Sequence, residues 1–260
     1  MASGQAEPPD RARTALRAFL TGALSRFPAP LRPALRASVP RVLFEAGLLG
    51  PAPSGQGPAR LVDLGAGLSL LPLACAHLGW QVTCVDDLHQ EYAGYAFEVH
   101  RAHGISVEQA DLLAWRPPAG APLHAAVCID VLEHLHHSPR PLFSRVVAAL
   151  VPGGRLVLGA PNAVNLRKRL AVPLGVSGWS RLPDWWQPDR FRGHVREPTL
   201  PELRWMVRAL GLSVDAVYGR SFAGCSQGGL LGLAARLLDL PLRALPQLAS
   251  DLYVVAHRAG

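Results

Sequence analysis

The chain has 260 residues, 49% of them apolar and 17% charged, with a net charge of +7. This composition excludes a disordered tail protein, and a chain of this length buries enough surface to need no disulfide or metal staple. The charge is uneven: residues 1–60 carry net +5, 61–160 net −4, 161–220 net +5 and 221–260 net +1, an acidic middle between basic flanks rather than a uniformly basic nucleic-acid binder.

Residues 1–9 lack apolar periodicity and are expected to be disordered. From Asp10 to about Phe27, Leu16, Phe19, Leu20 and Leu24 recur at helical spacing. A break at Pro28, Pro30 and Pro33 follows. A second helical stretch runs from Ala34 to Leu49, with an interruption expected at Pro40. Pro51 to Pro58 reads as a linker. These first 58 residues form an expected helical cap, and residues 59–260 a second unit.

That second unit alternates strand and helix signals. Leu61–Leu64 is a short strand, Leu68–Leu78 a helix and Gln81–Asp86 a β-branched strand. A helix from His89 to His103 follows, with His89, His100 and His103 expected on its solvated face, and then a strand from Ile105 to Ala110. Ala125–Asp130 is strand-like. Ser138 and Pro139 read as N-cap and first turn of a helix to Leu150. Arg155–Pro161 is a fifth strand. An irregular stretch, Asn162–Arg196, separates it from a helix opened by a Thr199–Glu202 capping box. Leu212–Gly219 and Asp251–Arg258 are the last two strands, with a Leu-rich insert (about 228–248) between them. The rhythm specifies an α/β fold: a Rossmann-like, doubly wound, mostly parallel sheet. Cys75, Cys84, Cys128 and Cys225 form no CxxC pair and lie in apolar surroundings, as buried free thiols of a reducing cytosol do. The first ten residues include Glu7 and Asp10 without an apolar core, so no secretory signal is read and the expected location is cytoplasmic. The uncharged run Leu64–Val85 contains two turn glycines, Pro72 and His77, and suits a buried turn–helix–strand rather than a membrane span.

Four places carry chemistry. In VDLGAGLS, Val62–Ser69, Asp63 ends a strand, Gly65 and Gly67 let backbone pass under a ligand, and the next helix offers unpaired N–H groups. A dinucleotide fingerprint needs a third glycine where Leu70 stands, and Asp63 would repel a pyrophosphate. An acid there suits a cationic ligand such as the ammonium and sulfonium of S-adenosylmethionine. Asp86 ends the second strand, placed to accept from ribose hydroxyls, with Asp87 an alternative. Asp111 could accept from an adenine amino group, with Leu112 packing on the ring. The fourth place is CIDVLEHLHH, Cys128–His137, at the end of the fourth strand.

VDLGAGLS, CVDD, ADLL, IDVLEHL and PGGRLVLGAPN, in that order, resemble the class I S-adenosylmethionine-dependent methyltransferases, as does the later GHVREPTLPELRWMVRALGLSV. The resemblance implies seven strands with the last antiparallel, and cofactor contacts at Asp63, Gly65, Gly67, Asp86 and Asp111 with Asp130 near the methionine end. Within the family the chain is similar to ubiquinone-biosynthesis O-methyltransferases, where an acid-x-x-Glu-His group can hold a divalent cation. Here that group is Asp130, Glu133 and His134. The other reading is that Glu133 and His134 only shape the pocket.

Methyl transfer needs alignment and a proton acceptor. The histidines at hand are His134, His136, His137 and His194, of which His134 ranks first and His194, in an expected lid (about 162–197), second. The implied activity is methyl transfer to an oxygen of a small-molecule or lipid-linked acceptor, such as a sugar, polyketide or quinone-like ring. Alternatives are an RNA or protein methyltransferase on the same fold, or a non-catalytic scaffold. Asn165–Arg192 mixes Arg, the only lysine (Lys168) and Trp179, Trp185 and Trp186, which suits an acidic or lipid-bearing acceptor or a membrane headgroup layer. This segment and the Leu-rich insert could equally pack on the sheet edge or form a homodimer contact. Their basic groups sit among Leu and Pro rather than in a stripe, which argues against nucleic acid.

Overall fold

Strand β1 (Arg60–Leu64) starts where the linker composition ends, and four of its five residues are buried, as the centre of a parallel sheet requires. In the computed structural model, residues 10–55, 57–87, 93–178, 180–189, 191–222 and 243–260 are described. The expectations for residues 1–9, His89, Trp179, Cys225 and most of the Leu-rich insert lie outside them.

After helices α1 (Asp10–Ala23) and α2 (Arg32–Leu49) and strand β1 come α3 (Leu71–His77), β2 (Gln81–Asp86), α4 (Ala93–Ala102), β3 (Ser106–Gln109), β4 (Leu123–Ile129), α5 (Arg140–Ala149) and β5 (Leu150–Pro161). Short helices α6 (Leu166–Ala171) and α7 (Leu182–Trp186) occupy the stretch expected to be irregular, followed by α8 (Leu200–Ala209), β6 (Leu212–Arg220) and β7 (Asp251–Arg258). The sheet order is β3-β2-β1-β4-β5-β7-β6. The first five strands pair in parallel, while β7 runs antiparallel to both β5 and β6. This is the doubly wound, seven-stranded sheet that the sequence rhythm predicts.

Strand alternation divides the core. Leu61, Val127, Val157 and Val255 face a layer containing α1, α2, α3 and α4. Val62, Cys128, Leu158 and Val254 face α5 and α8. A period of two on every central strand, apolar on both faces, is what buries a sheet between two helical layers. Cys75, Cys84 and Cys128 are buried free thiols.

Several boundaries differ from the sequence reading. Helix α2 begins at Arg32 and runs unbroken through Pro40. Burial of Leu35, Val39, Val42 and Leu43 on either side holds it together where local propensity would break it. Helix α3 starts at Leu71 instead of Leu68, because Ser69 Oγ accepts from Leu71 N at 3.0 Å and the preceding residues form the glycine turn. Pro139, not Ser138, is the N-cap of α5; Ser138 Oγ still accepts weakly from Arg140 N at 3.4 Å. The α8 capping box forms as read, with Thr199 N donating to Glu202 Oε2 at 2.7 Å.

His100 is the clearest correction. It is 0% exposed rather than solvated, and its Nε2 pairs with the Ser69 carbonyl at 3.0 Å. Burial pushes its pKa down to about 4, so it is a neutral strut beneath the glycine turn. His103 is half-buried, its Nδ1 on Val99 O at 2.8 Å. Helix α1 reaches this side of α4, where Phe19 packs edge-on against His103.

Candidate cofactor and acceptor site

The carboxyl ends of β1, β2, β3 and β4 open on one cavity of about 810 Å³. In a parallel sheet this is where the strand order reverses and a crevice must form. Gly65 and Gly67, both with positive φ (76° and 48°), make its floor. A Cβ on Gly65 would lie 2.4 Å from Val131 Cγ2, so only glycine lets the β1 turn and the β4 end approach this closely. Asp86 Oδ2 accepts from Gly67 N at 2.9 Å, tying the β2 end to the turn.

Asp86, Asp87, Asp111, Leu112 and Asp130 all line the cavity, together with Gln109, His134, His136, His137, Phe191 and Arg192. Asp63 does not. It lies buried beneath the floor, and burial, reinforced by Glu45 and Asp86, pushes its pKa up to about 8. Asp87 faces Arg192 Nη1 at 3.8 Å. Asp111 Oδ1 accepts from Leu113 N at 2.8 Å, a turn that presents the carboxylate at the mouth.

Sequence reasoning missed the cation at this end. Arg41, on α2, places Nη2 2.7 Å from Asp130 Oδ2 and donates from Nε to Glu45 Oε1 at 2.7 Å. Tyr253 of β7 donates to the same Glu45 oxygen at 3.1 Å. Burial lifts Glu45 to a pKa of about 7, even with Arg41 beside it. Asp130 has φ of 55°, the left-handed region, which turns its side chain toward Arg41. The only sequence signal was the Arg41–Glu45 spacing of four on a helix.

At the opposite rim the two leading histidine candidates come together. The His134 and His194 rings meet edge to face, with centroids 4.9 Å apart. His134 Nδ1 pairs with the Arg192 carbonyl at 2.8 Å. A carbonyl only accepts, so Nδ1 carries the hydrogen and Nε2 is bare. Burial holds the His134 pKa below its usual value. His194 Nδ1 pairs with Glu197 Oε1 at 2.8 Å, and this hydrogen bond raises its pKa. Burial alone would raise the pKa of Glu197, but the bonds from His194 and Lys168 win and hold it low. Glu133 is 1% exposed and lies between the rings; burial pushes it up to about 7. His136 Nε2 reaches the Phe191 carbonyl at 3.2 Å.

The Asp130, Glu133 and His134 group, one of two readings that the resemblance offered, is not the set that converges. Asp130 is engaged by Arg41, and the residues that converge, each offering one atom within 4.8 Å of the others, are Glu133, His134 and His194. His194 arrives from sixty residues downstream because the 191–197 segment lies across the β4 end, with Val195 N donating to Glu133 O at 2.6 Å.

Comparisons with known proteins bear on the family and the fold. A family model described as a methyltransferase domain matches residues 29–217. A ubiquinone biosynthesis O-methyltransferase of Xylella fastidiosa is 37% identical over 173 residues, covering 63% of this chain and 65% of that protein. A namesake from Burkholderia thailandensis is 29% identical over 167 residues, covering 63% of this chain and 68% of that protein. The matches thus span about two thirds of these relatives. Among solved structures, an S-adenosylmethionine-dependent methyltransferase of Mesorhizobium loti superposes with a TM-score of 0.56 at 21% identity, covering 85% of this chain and 98% of that one. The 1,6-didemethyltoxoflavin-N1-methyltransferase of Burkholderia thailandensis gives 0.53 at 17%, covering 100% and 94%. At these identities the structural likeness speaks for the fold. With the family model covering well over half of it, the chain belongs to the methyltransferase-domain family, on the class I, S-adenosylmethionine-dependent fold.

Proposed function

We propose that this methyltransferase transfers the methyl group of S-adenosylmethionine to an oxygen of a small-molecule acceptor, lipid-linked or quinone-like. The observation that carries the reading is one cavity with acids from successive strand ends on one side and an imidazole cluster on the other. Carboxylates at Asp86, Asp111 and Asp130 make a field suited to a sulfonium and an ammonium. In this reading Gly65 and Gly67 bring backbone close to the cofactor, Asp86, or Asp87 in its place, takes the ribose hydroxyls, Asp111 the adenine amino group, and Leu112 the ring face. Asp130 and Arg41 meet the amino-acid end.

The sulfonium is already activated, so the chain has to align acceptor and methyl group and take a proton. The hydroxyl is brought to the Glu133–His134–His194 cluster, where His134 faces the cavity and His194 stands behind it. Oxygen as the methylated atom is supported by relatives named as O-methyltransferases.

The acceptor enters beside the 165–192 insert, which exposes Leu174 (82%) and Trp186 (75%) beside Arg167, Arg169 and Arg181. Apolar tips with flanking arginines suit an anionic membrane surface that supplies a lipid-linked acceptor. Among the described residues no helix is long and apolar enough to cross a membrane. The enzyme is then a cytoplasmic one that touches the membrane from outside. Calorimetry with S-adenosylhomocysteine tests the core reading: micromolar binding, lost in Asp86→Ala, supports it, and no binding by well-folded protein ends it. Flotation with anionic liposomes at low salt tests the surface. Absence of retention, or a concentration-dependent dimer that buries Trp186, ends the membrane reading.

A further inference from the structure

The cluster at the acceptor rim has features that a pair of free bases does not need. Both imidazoles spend Nδ1 on an outside acceptor, His134 on the Arg192 carbonyl and His194 on Glu197, and Glu197 is held in turn by Lys168. Each ring is thereby fixed in one tautomer with Nε2 bare. This is the outer-shell arrangement that orients metal-ligating histidines. Both Nε2 atoms face a single oxygen, Glu133 Oε1, at 3.9 and 4.0 Å. Those separations are too long for hydrogen bonds, yet two bonds to one ion span up to about 4.2 Å.

Glu133 adds an independent sign. Its side chain is 1% exposed, and its second oxygen, Oε2, is buried without a hydrogen-bond partner. A buried carboxylate left so poorly compensated asks for a positive charge. Among the described residues the nearby cationic side chains have other partners: Arg41 is engaged by Asp130 and Glu45, Lys168 by Glu197, and Arg192 faces Asp87.

We propose that Glu133, His134 and His194 form a seat for a borderline first-row transition-metal dication, of the zinc and cobalt type, rather than the oxygen-rich magnesium site that an Asp130-containing trio would make. Two imidazoles and one carboxylate are a donor set that favours such ions over magnesium or calcium. Asp130 is removed from the set by its left-handed backbone and its contact with Arg41. The inference rests on the rim being the acceptor side of a methyltransferase and states how that rim handles the hydroxyl. A dication bound there supplies Lewis acidity, lowering the pKa of a hydroxyl brought against it. The chain's own part is to hold each ring in one tautomer and to keep Asp130 out of the donor set.

The test uses the full chain, stripped with a chelator and titrated with Co²⁺ while its visible d–d absorption is followed. One equivalent should bind and be displaced by Zn²⁺ but not by millimolar Mg²⁺. His134→Ala and His194→Ala should abolish the band. Glu197→Gln, which leaves the ligands in place, should weaken binding by roughly 10-fold. Asp130→Asn should leave the affinity unchanged within about twofold, the scatter between similar samples. No band in the wild type, equal competition by Mg²⁺, or a loss in Asp130→Asn as large as that in His194→Ala overturns the proposal. Circular dichroism and S-adenosylhomocysteine calorimetry on the same samples separate the outcomes. Cofactor binding without a metal signal sinks the metal seat alone, whereas folded protein that binds neither sinks the methyltransferase reading beneath it.

Discussion

The two walls of the cavity are built in different ways. The cofactor wall takes each group from a strand end or the turn after it, Gly65 and Gly67 from β1, Asp86 from β2 and Asp111 beyond β3, so each position follows from one short run of sequence. The acceptor wall joins Glu133 and His134, after β4, to His194, which comes from the insert and is itself braced by Glu197 and Lys168. The first wall is the sheet's own edge and is rigid by register. The second is assembled across sixty residues and depends on where the insert lies. Binding of the cofactor and handling of the acceptor should therefore fail separately.

The largest separation is expected at the glycine turn. Asp86→Ala removes the partner of Gly67 N and the proposed ribose acceptor, a loss of about 2–3 kcal/mol or roughly 100-fold in Kd, read by calorimetry. Gly65→Ala should do at least as much, because its Cβ meets Val131. On the other wall, His134→Ala should lower kcat by roughly 100-fold while S-adenosylhomocysteine affinity stays within about twofold. If both constants fall together, the walls are not independent.

Arg41→Met breaks the link between α2 and the cavity and leaves Glu45 buried with only Tyr253. The expected cost is about 2 kcal/mol in denaturant unfolding, limited because Glu45 can take up a proton. The acids beneath the floor give a pH signature. Burial raises Asp63 from 3.8 to about 8 and Glu45 from 4.5 to about 7. The native state then holds more protons than the unfolded chain between about pH 4 and 8, so stability falls as pH rises through that window. Asp63→Asn should flatten the decline of Tm between pH 5 and 8 relative to wild type; an unchanged slope would mean Asp63 is ionised throughout. The smallest effect is Thr199→Ala, which removes half of the α8 capping box and should cost about 1 kcal/mol, seen as a Tm shift with kcat unchanged.

The contrast also explains what could be read from the chain alone. Strand alternation and the VDLGAGLS turn are local, and the strands of the sheet and the glycine turn were legible from them, whereas the strand order was not. Arg41 was not, because its importance depends on α2 crossing to β4, and helical spacing shows only that Glu45 is its neighbour. His194 was visible as a histidine, but its meeting with Glu133 needs the Val195–Glu133 backbone bond that no motif encodes. His100 was misread because a helix face is wet or dry only relative to its neighbours, here Cys84 of β2 and the glycine turn.

One feature of the sheet bears on how the molecule is made. Strand β7 lies between β5 and β6 and, among the described residues, supplies all the pairing that β6 has. While the chain leaves the ribosome, β1 to β5 can associate as soon as they emerge, but β6 waits for its β7 neighbour until residues 251–258 follow it out. Helix α8 packs on β6 and β7 and must wait for that late event, so nascent chains stalled before residue 251 should hold β1 to β5 paired while α8 and β6 are still unsettled.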